Sequence, residues 1–87
     1  MQVFLISYDI SCDSDRNKVY RLLKKTCNHI QKSVFVFEGT EAVLRSIEES
    51  IMPKLGEEDS LLIMPCCADC FKKTKFYSKT TEDMVII

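Results

Sequence analysis

Four apolar residues in a row, Val3, Phe4, Leu5 and Ile6, lead through Tyr8 into the carboxylate of Asp9. An unbroken run of this kind predicts a strand buried on both faces in the middle of a sheet. An unpaired carboxylate is costly to bury, so Asp9 is expected where the strand emerges at its carboxyl end, facing solvent, a cation or a basic partner. Ser11 to Asp15 then supplies Ser and Asp residues as helix N-caps and acids for a first turn. Beyond them Val19, Leu22, Leu23 and Cys27 recur at helical spacing, and Arg16, Lys18, Arg21, Lys24 and Lys25 fill most of the other positions. This predicts an amphipathic helix with a basic outer face, stopping near Asn28.

From Ile30 to Gly39 the chain is rich in Val and Phe, with Ile30, Val34 and Val36 on one face. The pattern fits one long strand or two short ones with a kink near Lys32 and Ser33. Thr40 is the expected N-cap of a second helix whose apolar face is Val43, Leu44, Ile47 and Ile51, ended by Pro53 and Gly56. Leu61 to Met64, between Ser60 and Pro65, reads as a buried strand, and Thr74 to Tyr77 as another after a Cys-rich turn. The terminal Met84, Val85, Ile86 and Ile87 are expected to pair as a strand with another sheet or another chain. Strand, helix, one or two strands, helix and two strands is the order of an α+β, ferredoxin-like sandwich, with two helices on one face of an antiparallel sheet. There the end of the first strand meets the start of the first helix, so Arg16 and Lys18 are expected near Asp9.

Composition narrows the picture. At 87 residues, with 46% apolar positions and only two glycines and two prolines, the chain reads as one small folded domain (residues 1–87) that dimerisation would help to stabilise. The N-terminal apolar run is interrupted by Asp9 and lacks a positive leader, so neither a signal peptide nor a membrane span is expected, and the protein is read as cytoplasmic. Five cysteines, an odd number, then point to reduced thiols rather than a disulfide framework. A net charge of −1 gives no global attraction to nucleic acid, so any such binding needs a local basic patch.

In order and spacing, Tyr8-Asp9, the basic helix start at Arg16 and Lys18, Gln31-x-Ser33-Val34-Phe35, the acidic turn and strand from Glu57 to Pro65, and the Val-Ile-Ile tail are all present. With these pieces the chain resembles the CRISPR-associated endonuclease family of the adaptation module, the small dimeric partner of the CRISPR integrase. The resemblance implies a ferredoxin-like homodimer in spacer acquisition, part of antiviral defence. Its first-strand aspartates would face each other across the two-fold axis and bind a divalent metal, usually Mg²⁺. It also implies metal-dependent endonuclease activity on RNA or DNA, or a role holding DNA beside the integrase without need of the catalytic acid. Where the family often carries other residues, this chain has Lys32, and His29 stands where a basic residue is common; both are taken as members of a patch for the nucleic-acid backbone.

Chemistry assigns roles beside plainer alternatives. Phosphodiester hydrolysis needs a polarised phosphoryl oxygen and an activated water, which Mg²⁺ held by carboxylates supplies. Asp9 is the candidate ligand, Asp13 a candidate outer one; the alternative is that Asp9 caps its loop or pairs with Arg16. Arg16 and Lys18 are candidates to neutralise phosphates, while Arg21, Lys24 and Lys25 are left to a solvated helix face. Tyr8 is a candidate to orient a water or phosphate, or else a core aromatic. Ser33 is placed on the strand beside the first, as a phosphate contact. Phe35 either stacks on a base or packs at the dimer axis, with packing the favoured role. Cys66, Cys67 and Cys70 are read as packing or loop residues, since zinc on the Cys67–Cys70 C-x-x-C would want two more ligands at metal spacing, Cys66 being adjacent and His29 distant, and the motif is not expected to open a helix. Besides endonuclease and scaffold, a toxin-like ribonuclease of related fold fits the same elements.

Overall fold

Alternating side chains of one interior strand bind both layers of the protein together. In the computed structural model, which describes residues 2–75, β1 (Gln2–Asp9) lies between β3 (Val34–Gly39) and β4 (Ser60–Cys66). Outside β3 runs β2 (Asn28–Gln31), so the sheet has the order β2-β3-β1-β4 with every pairing antiparallel. The helices α1 (Asp13–Thr26) and α2 (Glu41–Ile51) follow β1 and β3 in the chain. This is the ferredoxin-like topology that the element order predicts.

The core lies between the helices and one sheet face. Phe4, Ile6 and Tyr8 of β1 and Phe35 and Phe37 of β3 meet Val19 and Leu23 of α1 and Leu44, Ile47 and Ile51 of α2. Phe4 stands opposite Phe37, and Ile6 stands between Phe35 and Ile63, so the aromatic and β-branched pairs form rows across the sheet. Gly39 ends β3 where a Cβ would lie 2.6 Å from the Phe37 ring.

Several expectations change in detail. The segment after Ile30 is two strands, a hairpin turning at Lys32 and Ser33, with a bulge between His29 and Gln31. Helix α1 starts after Cys12, which makes no side-chain cap; Ser11 is already bonded to Asp59 and Asp13 to Arg16. Thr40 does cap α2, its hydroxyl accepting from the Val43 amide at 3.3 Å. Val43 itself is 47% exposed, because it lies roughly 100° round the helix from Leu44. Helix α2 gives way after Ile51 to a single 3₁₀ turn, Met52–Lys54, carrying Pro53.

Among the described residues, the Leu61 to Met64 stretch is an edge strand and not a buried one. Leu61 and Ile63 pack on the core, whereas Leu62 and Met64 on the opposite face are 55% and 47% exposed. Its Pro65 is tolerated because an edge strand has one side without ladder bonds. The Cys-rich segment is not a turn but a short helix, α3 (Ala68–Lys72). Of the strand expected at Thr74 to Tyr77, the first two residues have no strand pairing and the rest lie outside the described residues, as does the Met84 to Ile87 tail.

Phe35 is fully buried, so Phe35→Ala is expected to cost about 3–5 kcal/mol. Val43→Ala, on the exposed flank, should stay within about 0.5 kcal/mol. Urea denaturation midpoints measure both, and equal effects would contradict this placement of the core.

Candidate functional site

Strand alternation sends Tyr8 and Asp9 to opposite faces. Asp9 therefore shares a face with Val3, Leu5 and Ser7, away from the two long helices. On that face Leu5 lies between Met64 and Val36, Ser7 lies between Leu62 and Val34, and Asp9 stands opposite Ser60. Asp9 is exposed, as expected of an acid at the end of a buried run. Ser7 apart, the face short of Asp9 is apolar, and a groove of about 220 Å³ runs over Val3, Leu5, Ile30, Val34 and Val36 to Phe71 of α3.

Arg16 is held beside the strand end by its own helix. Its Nη1 donates to the carbonyl of Ile10, the residue after Asp9, at 3.2 Å, and its Nη2 pairs with Asp13. It does not pair with Asp9, and Asp13 is engaged by Arg16 rather than free as an outer metal ligand. With the side chains 44% and 83% exposed, this ion pair contributes at most about 1 kcal/mol. A phosphate can therefore displace Asp13 at little cost. Lys18, two residues on, points roughly 200° round the helix from Arg16. It shares its stripe with Arg21 and Lys25 at i+3 and i+7, so those two, assigned above to a solvated face, are its companions.

The other candidates sort differently. Tyr8 is buried in the core with its ring stacked on Phe35 at 6.2 Å between centroids. Burial pushes its phenol pKa up, the Tyr20 hydroxyl adds to the rise, and the Arg16 guanidinium opposes it. Phe35, with no exposed surface, reaches neither a base nor a dimer axis; it packs between Tyr8, Tyr20 and His29. The His29 ring stacks on Phe35 at 4.7 Å, and its Nε2–H donates to the Lys32 carbonyl at 3.0 Å. That fills most of a backbone-binding role with packing. Ser33 lies in the hairpin turn, off the strand, and its carbonyl accepts from the Tyr8 amide at 3.2 Å. Lys32 is exposed in the same turn. Val85, Ile86 and Ile87 lie outside the described residues.

One functional contact escaped the sequence. Asp59 Oδ1 accepts from both the amide and the hydroxyl of Ser11, at 3.1 and 3.0 Å, and Oδ2 accepts from the Gly56 amide at 2.7 Å. It ties the loop after Asp9 to the loop before β4. These bonds, the Gly56 amide foremost, hold the Asp59 carboxyl below its ordinary pKa. The bond from the Gly56 amide lies within the acidic turn itself, but Ser11, 48 residues away, leaves no local trace.

Among the described residues no three His, Cys, Asp or Glu side chains converge as a metal-binding group. Mg²⁺ binds through one or two carboxylates plus water and substrate phosphate. The lone exposed Asp9 fits that pattern as half of a site. It does not fit a closed zinc centre.

Comparison with known proteins bears on this arrangement. The family model described as CRISPR associated protein Cas2 matches residues 1–74. The chain is 30% identical over 91 residues to the CRISPR-associated endoribonuclease Cas2 1 of Chloroflexus aurantiacus, spanning 97% of this chain and 98% of that protein. It is similar to a crystal structure of cas2 with a TM-score of 0.80 and 26% identity, covering 99% of this chain and 97% of the other. With a chain of a partial Cas6-RT-Cas1–Cas2 complex the TM-score is 0.76 and the identity 28%, covering 87% and 90%.

The lowered Asp59 pKa has a definite pH signature. Stability from the Asp59 bonds is fully present above the ordinary carboxyl pKa and is lost as the pH falls through the lower folded value. The difference in urea midpoint between wild type and Asp59→Asn should be constant near neutrality and shrink in that acid window. A difference that grows on acidification would contradict the assignment.

Proposed function

The chain belongs to the CRISPR associated protein Cas2 family, and on that premise we propose that two copies pair through the open sheet face to form a metal-dependent endonuclease for RNA or DNA. The observation that carries this reading is the position of Asp9: an exposed strand-terminal carboxylate at the rim of an apolar face. A two-fold pairing over Leu5, Leu62 and Met64 brings the second Asp9 to the same rim, completing a site of which each chain holds half.

Energetics favour covering that face. Burying an apolar side chain such as Leu62 or Met64 contributes about 1.5–3 kcal/mol, against an association cost of about 4–15 kcal/mol. Leu62 and Met64 are 55% and 47% exposed in one chain, so covering both on each copy recovers about half of that per side chain, roughly 3–6 kcal/mol together. The half-buried Leu5 adds to a gain at the low end of that cost. The terminal Val85, Ile86 and Ile87 are proposed to add pairing with the partner protomer.

In the proposed reaction a divalent ion such as Mg²⁺, when bound, would polarise the phosphoryl oxygen and lower the pKa of its water. Asp9 from each chain would hold it. Arg16 exchanges Asp13 for a phosphate oxygen and offsets charge there. Lys18, with Arg21 and Lys25 on its stripe, contacts the backbone farther along, and Lys32 extends the positive surface at the hairpin turn. The packing of Tyr8 supports a positioning role, its ring anchoring the strand end against Phe35.

A second reading has its own support, the similarity to a chain of the partial Cas6-RT-Cas1–Cas2 complex. In it the dimer holds DNA beside a CRISPR integrase, through the same basic stripe and without using Asp9. Both readings place the protein in spacer acquisition.

Purified protein with Mg²⁺ is expected to cut RNA or DNA, and Asp9→Asn to lose activity on the order of a hundredfold or more with unchanged circular dichroism. Equal cutting by both proteins would overturn the role of Asp9, and no cutting by either would leave the scaffold reading. Separately, Leu62→Glu on the open face should give a folded monomer by sedimentation and lower the activity with it. A dimer that survives the substitution would place the interface elsewhere.

A further inference from the structure

The five cysteines are all free thiols, and they do not occupy equivalent places. Cys27 is half-buried, and burial pushes its thiol pKa up. The Cys66 thiol donates to the Met64 carbonyl at 3.8 Å, and its side chain packs beside Val3, Ile30 and Val36. Cys12 lies alone at the start of α1. Cys67 and Cys70, both exposed, lie together at the start of α3.

Their arrangement is that of a dithiol poised to close. Cys67 is the N-cap residue, with extended backbone at φ −76° and ψ 154°, and its sulfur accepts from the Cys70 amide at 3.1 Å. Hydrogen bonding from Cys70 holds the Cys67 pKa below its ordinary value, and the Cys67 sulfur in turn raises that of Cys70. A three-residue separation across a first helical turn lies within the Cα···Cα range of disulfides, about 4.4–6.8 Å. The expectation that this C-x-x-C would not open a helix is therefore reversed: it follows β4 directly and opens α3.

From this geometry we propose that Cys67 and Cys70 form a reversible intramolecular disulfide by exchange with low-molecular-weight disulfides, Cys67 being the attacking thiol and Cys70 the resolving one. The Cys67 thiolate attacks one sulfur of R–S–S–R, forming a mixed disulfide and releasing RS⁻. Cys70 loses its proton to water and attacks the Cys67 sulfur, forming the Cys67–Cys70 bond and releasing the second RS⁻. Two protein thiols are oxidised and one small disulfide is reduced to two thiols. The bond fixes the first turn of the helix whose Phe71 packs beside Val3, Ile30 and Val36.

The test is equilibration of the full-length protein in glutathione buffers of rising oxidised fraction, then acid quench, alkylation and peptide mass mapping. Wild type is expected to lose two hydrogen atoms in mass, with the bond mapped to Cys67–Cys70, and to regain them on reduction. Cys66→Ser should leave that bond intact. Cys67→Ser should abolish it, and Cys70→Ser should trap a glutathione adduct on Cys67. Iodoacetamide should modify reduced Cys67 several-fold faster than Cys12, since the thiolate is the nucleophile. A bond mapped to Cys66, adducts spread evenly over the exposed cysteines, or no Cys67–Cys70 bond while oxidised glutathione is in excess would each overturn the proposal.

Discussion

The structure depends on β1 being paired on both edges and packed on one face against the two long helices. Once β3 and β4 take its two edges, its backbone groups are satisfied and its side chains must divide between two environments. Phe4, Ile6 and Tyr8 enter the layer beneath α1 and α2, where they register against Phe37 and Phe35. Val3, Leu5, Ser7 and Asp9 take the other face. A register slip of one residue would drive Asp9 into the aromatic core, at a cost no contact there offsets.

From this division the two faces acquire different tasks. The helix side is closed by apolar side chains and by the aromatic group of Tyr8, Tyr20, His29 and Phe35, which supplies stability and leaves little surface for ligands. Among the described residues, the opposite side is met by Phe71 over one corner and leaves Leu62 and Met64 to solvent. Asp9 lies where that face meets the β1–α1 loop, and Arg16 and Asp59 brace the loop from two directions. The candidate chemistry thus stands on rigid elements, while the cations that would meet phosphate stand on the outer surface of α1.

Membership of the Cas2 family and the geometry bear on different questions. The family places the chain in CRISPR adaptation. The geometry separates residues that sequence proximity had grouped: Arg16 belongs to the strand end, Lys18 to a stripe with Arg21 and Lys25, and Tyr8 and Phe35 to the core.

Much of this was legible in the chain itself. The apolar run ending in Asp9, the 3.6-residue spacing of Val19 and Leu23, and the Thr40 cap are local signals, set by covalent geometry and the nearest few residues, and the ferredoxin-like order follows from them. Edge strand or interior strand, the pairing of Arg16 with Asp13 over Asp9, the bond from Ser11 to Asp59 and the packing of His29 on Phe35 depend on what arrives from elsewhere in the chain. The first strand shows the boundary most clearly. Its sequence determined that it would be buried and that its acid would emerge; only the tertiary structure decided that the acid emerges on the face away from α1 and α2, because the direction of a side chain has meaning only once the neighbouring strands and helices define the two sides.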